Sequence, residues 1–183
     1  MADEDYKRRR DIMTMNLAIH GPIEVPFEVP NGRGVKHIDK DQKKAFLASL
    51  DDAGLASKQG CYIFAIRASR GYRPWYVGKA TRSLRQECMQ PGKLNHYNAA
   101  LSKILKGTPV MFFVAPDGRK NKVSESVCEE METFLIQSAY FMNPDIRNIQ
   151  KKKVPEWKIR GVLRSGRGKP TVVEQAFRTM LGL

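Results

Sequence analysis

Cysteine and histidine are scarce in this chain, three of each in 183 residues. Cys61, Cys88 and Cys128 lie far apart with no CxxC spacing, so neither a disulfide framework nor a zinc site is supported, and reduced, partly buried thiols are expected. Long apolar runs are missing too. Nothing approaches the roughly 20 residues that a helix needs to cross a bilayer, which excludes a helical membrane protein. The opening MADEDYKRRRDIMTMNLAIHGP sets acids ahead of cations and has no apolar run followed by a small-residue cleavage site. It lacks the layout of a secretory signal, and a cytoplasmic protein with no membrane partner is expected. No internal repeat or low-complexity tract is present. A hydrophobic content of 42% is that of a globular chain, and the length suits one domain with a short accessory module.

Acids are the other deficit. Against 32 Lys and Arg stand 19 Asp and Glu, a net charge of +13 that points to a polyanionic partner, either nucleic acid or an acidic membrane surface. The excess is uneven: residues 1–50 hold 9 cations against 8 acids, and residues 51–183 hold 23 against 11. Two stretches concentrate it. Residues 67–85 carry Arg67, Arg70, Arg73, Lys79, Arg82 and Arg85 with no acid, while residues 151–169 carry Lys151, Lys152, Lys153, Lys158, Arg160, Arg164, Arg167 and Lys169 against Glu156 alone. Tyr72, Trp75, Tyr76 and Trp157 interleave with these cations and can stack on nucleobases or pack on sugars, which favours a nucleic-acid surface over ordinary solvated charge. A basic amphipathic helix of the membrane-surface kind is absent, which counts against a membrane adaptor.

Residues 1–57 read as an N-terminal arm. Its IEVPFEVP segment suits an edge strand or extended stretch because Pro26 and Pro30 interrupt the alternation, and an amphipathic helix follows at 39–50, closed near Gly54. The compact unit is expected at 58–150. CYIFAIR (61–67) and RPWYV (73–77) are rich in β-branched and aromatic residues, and the link holding Gly71 makes them a hairpin. A helix is predicted over 79–90 and broken by Pro91-Gly92; a second follows to Gly107, with Leu94, Tyr97, Leu101, Ile104 and Leu105 at helical intervals. VMFFVA (110–115) reads as a buried strand. SESVCEEMETFLIQSAYFM is the longest apolar helix, capped by Ser124 or Ser126 and stopped at Asn143-Pro144. Residues 151–183 follow as a basic loop and a final helix opened by the capping box Thr171-x-x-Glu174.

Two tyrosines stand out in the hairpin, Tyr62 in Gly60-Cys61-Tyr62 and Tyr76 in Tyr76-Val77-Gly78-Lys79, with Gly78 expected to end the strand where side chains converge. Glu132 is an acid in an odd place. With Cys128 at i−4, Ile136 at i+4 and Ala139 at i+7 its helix face is largely apolar. A carboxylate there needs a cation, a hydrogen-bond network or protonation; pairing with a nearby Lys or Arg at the helix edge answers the same need.

With these residues in order, the sequence resembles the GIY-YIG nuclease superfamily. Gly60-Cys61-Tyr62-Ile63 matches the first half-motif, Tyr76-Val77-Gly78-Lys79-Ala80 the second, Glu132-Thr133-Phe134-Leu135-Ile136 the downstream acid, and Asn143-Pro144-Asp145-Ile146-Arg147-Asn148 the closing segment. The likeness covers about residues 58–150. It implies a small α/β (α+β) domain, a three-stranded antiparallel sheet flanked by helices with accessory segments at either end. The implied activity is metal-dependent endonucleolytic hydrolysis of phosphodiester bonds, in DNA before RNA.

The resemblance also implies roles. Glu132 would bind one hard divalent cation, Mg²⁺ or Mn²⁺. Tyr76 would help activate the attacking water, Tyr62 would position water or phosphate, and Asn148 would fix the loop beside the site. Lys79, three residues past Tyr76, could supply the field that a phenol needs to act as a base. The family's phosphate-clamping arginine falls near Gln86-Glu87, where the nearest arginines are Arg82 and Arg85, and Arg85 is the candidate. His96, in LNHYN, is a further candidate general acid or base, suited to protonating a leaving oxygen. Arg67, Arg70, Arg73, Lys151, Lys152, Lys153, Arg160, Arg164, Arg167 and Lys169 are the expected nucleic-acid contacts. The displaced arginine leaves a second reading open, a GIY-YIG-like nucleic-acid-binding protein with weak or no turnover.

Overall fold

Four strands pair into one antiparallel sheet in the computed structural model, which describes residues 16–30, 34–69, 71–104, 106–152, 159–160, 162 and 168–181. They are β1 (Leu17–Glu24), β2 (Gly60–Ala68), β3 (Gly71–Ala80) and β4 (Thr108–Pro116), in the spatial order β1-β4-β2-β3. The expectation of three strands is thereby corrected. The additional strand is β1, which comes from the arm read as accessory and pairs with β4 from Leu17↔Pro116 to Glu24↔Val110. Its sequence hides it: Gly21-Pro22 sits inside the strand, where the register shifts between His20 and Ile23, an irregularity that an edge strand tolerates. The segment expected to be extended, 23–30, contributes beyond β1 an isolated bridge between Glu28 and His37. One unit runs over Met1–Lys152 and a second over Lys153–Leu183, so the expected start of the domain at 58 falls inside the first.

The helices are α1 (Lys40–Asp52), α2 (Leu84–Glu87), α3 (Pro91–Leu101), α4 (Glu125–Met142) and α5 (Val172–Leu181). Local capping explains several ends. Asp39 accepts from the backbone of Asp41 and Gln42 while the Gln42 side chain reaches back, a full capping box on α1. Ser124 caps α4 through Val127 N. In the second unit, Thr171 N donates to Glu174 at 2.6 Å and Glu174 N to Thr171 Oγ1 at 3.3 Å, so the expected box opens α5.

Two local readings are overturned. The helix expected over 79–90 is reduced to the short α2, because β3 continues to Ala80, where Gly60↔Ala80 and Cys61↔Lys79 pair across the hairpin; strand pairing overrides a weak helical preference. Pro91 begins α3 instead of breaking it, since a first-turn proline gives up an N–H that has no partner there anyway.

The pleat sends alternate residues to opposite faces. Tyr62, Phe64 and Ile66 of β2 join Met111 and Phe113 of β4 against Phe46 and Leu50 of α1 and Tyr97 and Leu101 of α3. On the other face Val77 packs with Ile136 and Ala139 of α4 and with Ile146. All three cysteines are buried. Among the described residues no helix is long and apolar enough to cross a membrane.

Candidate active site

β3 is an edge strand, and unpaired edge groups need partners. The loop after α4 supplies them. Asn143 donates through Nδ2 to Pro74 O at 2.6 Å, and Arg147 N donates to Trp75 O at 2.7 Å. Asn148 grips Val77 from both sides, accepting from its N–H at 2.9 Å and donating to its carbonyl at 2.8 Å. This loop stands in for a fifth strand and sets residues 148–151 beside α4. A cleft of about 410 Å³ results, lined by Tyr76 and Lys79 of β3, His96 of α3, Glu129 and Glu132 of α4, and Asn148 and Lys151.

Tyr76 is buried apart from its rim, and its hydroxyl oxygen accepts from Lys93 Nζ at 2.7 Å, which leaves its own proton free to donate. The His96 ring stacks on it, centroids 5.0 Å apart and planes 15° from parallel. Burial, then the charges of Arg147 and Lys93, lower the His96 pKa below the ordinary 6.5. That favours the neutral imidazole at pH 7, the form able to accept a proton, of the acid and base roles that the sequence left open.

Glu129 and Glu132, three residues apart, share one face of α4. Lys151 answers the question that Glu132 raised: its Nζ lies 2.6 Å from Glu132 Oε2 and also bonds Glu129, which in turn pairs with Lys79. Bonds from Lys151 and then Lys79 hold the Glu129 carboxyl at about 2. The Lys79 ammonium is raised, above all by its bond to Glu129. Burial pulls the Lys151 ammonium down, but its bonds to Glu129 and Glu132 outweigh that and leave it raised. Burial pushes the thiols of Cys61, Cys88 and Cys128 up, so none is a thiolate at neutral pH.

Other expected site residues lie elsewhere. Tyr62 is wholly buried, outside the cleft. It faces Gly78 across the hairpin, where a Cβ would lie 2.4 Å from the Tyr62 hydroxyl. Gly78 thus makes room for a core ring inside β3 and does not end the strand. Arg85 pairs with Asp51 and donates to Leu47 O at 3.3 Å, on the α1 side of the molecule; it is not among the cleft residues. The acid-free run 67–85 is matched in space by acids from other segments and from α2: Arg67 meets Glu24 at 2.5 Å, Arg73 meets Asp145 at 3.2 Å and Arg82 meets Glu87 at 3.7 Å. Lys152 donates to Ile146 O at 3.0 Å, Arg160 lies 3.5 Å from Glu174, and Lys169 is exposed. Arg70, Lys153, Arg164 and Arg167 fall outside the described residues.

Lys93 and Glu129 were not foreseen; that Glu132 pairs with a nearby cation was, without Lys151 being named as that cation. Glu129 carried a signal, its i−3 spacing from Glu132; Lys93 carried none, because its contact with Tyr76 depends on how α3 docks. Among the described residues no group of three or more His, Cys, Asp and Glu side chains gathers to hold a metal. Two carboxylates in an open cleft nonetheless suit Mg²⁺ or Mn²⁺, hard ions bound through one or two carboxylates with water and substrate phosphate completing the shell. Comparison with protein-family models, with curated proteins and with solved structures finds no match.

Proposed function

We propose that the chain is a GIY-YIG-type, metal-dependent endonuclease hydrolysing phosphodiester bonds in DNA. One observation carries this reading: Tyr76, Glu132 and Asn148, taken from three separate motifs, line a single cleft together with His96 and Lys79. Glu132, with Glu129 one turn before it, would hold Mg²⁺ or Mn²⁺, which when bound supplies positive charge at a phosphate oxygen and makes water more acidic.

The chain's own groups account for the remainder. Tyr76, accepting from Lys93, donates to the attacking water or a phosphate oxygen and orients it. Neutral His96 takes a proton as the water oxygen bonds to phosphorus and the P–O bond to the departing strand breaks, and the departing oxygen takes up a proton from solvent. Lys93 and Lys79 place positive charge beside the phosphate in its crowded transition state. Asn148 holds the loop and touches no reacting atom.

A second reading, nucleic-acid binding with weak or no turnover, is favoured by one specific observation: Arg85 is engaged by Asp51. Nicking of supercoiled plasmid with Mg²⁺ or Mn²⁺, run beside branched DNA, single-stranded DNA and RNA, separates the two. Metal-dependent nicking lost in Glu132→Gln supports the nuclease, and tight binding with no cleavage of any substrate supports the alternative.

A further inference from the structure

We infer that Lys151 is an internal competitor for the divalent cation, its ammonium holding the cleft carboxylates in the metal-free protein and leaving them when metal binds. The inference rests on the metal-dependent reading above and concerns how that site is regulated.

Geometry motivates it. The Lys151 ammonium lies between two carboxylates, 2.6 Å from Glu132 and bonded also to Glu129, and so supplies the positive charge that a bound cation would otherwise supply to Glu132. Glu129 keeps Lys79 when Lys151 departs, whereas the Glu132 carboxylate has no other cationic partner among the described residues. Release of Lys151 therefore bares one carboxylate, the one expected to ligate metal. The backbone points the same way. Lys151 has φ +62°, in the left-handed region that side-chain-bearing residues enter at a cost, so its contacts hold it in a conformation the free chain disfavours. The side chain is also placed to move: Asn148 is anchored to Val77 and Lys152 to Ile146 O on either side of it, so Lys151 can leave the carboxylates by rotation about its own side-chain bonds while the sheet edge stays closed.

A bound competitor weakens the apparent affinity of whatever must displace it, in proportion to its own hold. Removing the ammonium while keeping the stem length should tighten metal binding. The test is a Mn²⁺ titration of the full chain without nucleic acid, free Mn²⁺ being read by its electron paramagnetic resonance. Four proteins are compared: wild type, Lys151→Met, Glu132→Gln, and Lys122→Met, which removes the same charge from an exposed loop. Lys151→Met should bind Mn²⁺ roughly tenfold more tightly than wild type, the scale of one lost charge-assisted hydrogen bond, and Lys122→Met should not. Lys151→Gln serves in its place if the Met variant melts early. Wild-type binding that needs Glu132 but is unchanged in Lys151→Met overturns this inference alone. Absence of Mn²⁺ binding in every protein overturns the metal site and the inference with it.

Discussion

Tyr62 and Tyr76, expected to share a site, sit in different surroundings. Both are near-buried tyrosines on paired strands, yet only Tyr76 turns its hydroxyl to the cleft, while Tyr62 fills the space that Gly78 leaves. The two tyrosines share one face of the sheet, Tyr62 opposite Gly78 and Tyr76 opposite Phe64; which of them borders the cleft depends on what packs over each ring, which spacing does not report. Arg85 fails for a related reason: its partner Asp51 belongs to α1, and no linear pattern reports that docking. Tyr76→Phe should slow cleavage roughly 10²-fold, with Arg85→Ala and Tyr62→Phe close to wild type, as measured by single-turnover cleavage. A larger loss in Arg85→Ala would return that arginine to the phosphate. His96 adds a pH signature. Because its pKa is lowered from 6.5 and the neutral form accepts the proton, the rate should rise with pH through a midpoint below 6.5 and then level. His96→Gln should lower the plateau and remove that limb, and a limb retained in the variant would assign it to another group.

At the scale of elements, the closed edge of β3 organises the site. Asn143, Arg147 and Asn148 carry the hydrogen bonds a neighbouring strand would make, and the same loop delivers Lys151 to α4. Asn148→Ala leaves both backbone groups of Val77 without their partner, at about 1–3 kcal/mol for each buried group left unpaired. The variant should therefore show a lower urea midpoint with an unchanged slope, and should lose cleavage through displacement of the loop; unaltered stability would mean that Asn148 does not hold the edge. α1, the β2–β3 hairpin, β4 and α4 were readable because capping residues and alternation agree there with the fold. β1 and the stretch after Gly78 were not. In β1 a Gly-Pro pair interrupts the alternation, and after Gly78 pairing with β2 outweighs helical preference.

Across the whole molecule, the net charge is +13, and ion pairing among the described residues redistributes it. Of the run 67–85, Arg67, Arg73, Lys79, Arg82 and Arg85 each meet an acid, so linear counting overstated that surface as a nucleic-acid track. Residues 151–169 hold eight cations against one acid; Lys151 and Arg160 pair with acids, and phosphate contact by the others is proposed on sequence charge alone. Changing Lys153, Arg164, Arg167 and Lys169 to Ser should weaken DNA binding at low salt and flatten the dependence of log affinity on log salt by roughly 0.9 for each contact removed. An unchanged slope would assign this segment to solvated surface.

The most direct measurement is nicking of supercoiled plasmid by wild type and Glu132→Gln across a Mg²⁺ titration, with DNA affinity measured on the same preparations. Wild type should nick only when metal is present. The variant should lose turnover by orders of magnitude while its melting temperature and DNA affinity stay near those of wild type, because the carboxylate serves the chemistry more than the grip on phosphate. Equal, metal-dependent nicking by the two proteins would remove Glu132 from the site and contradict the central claim.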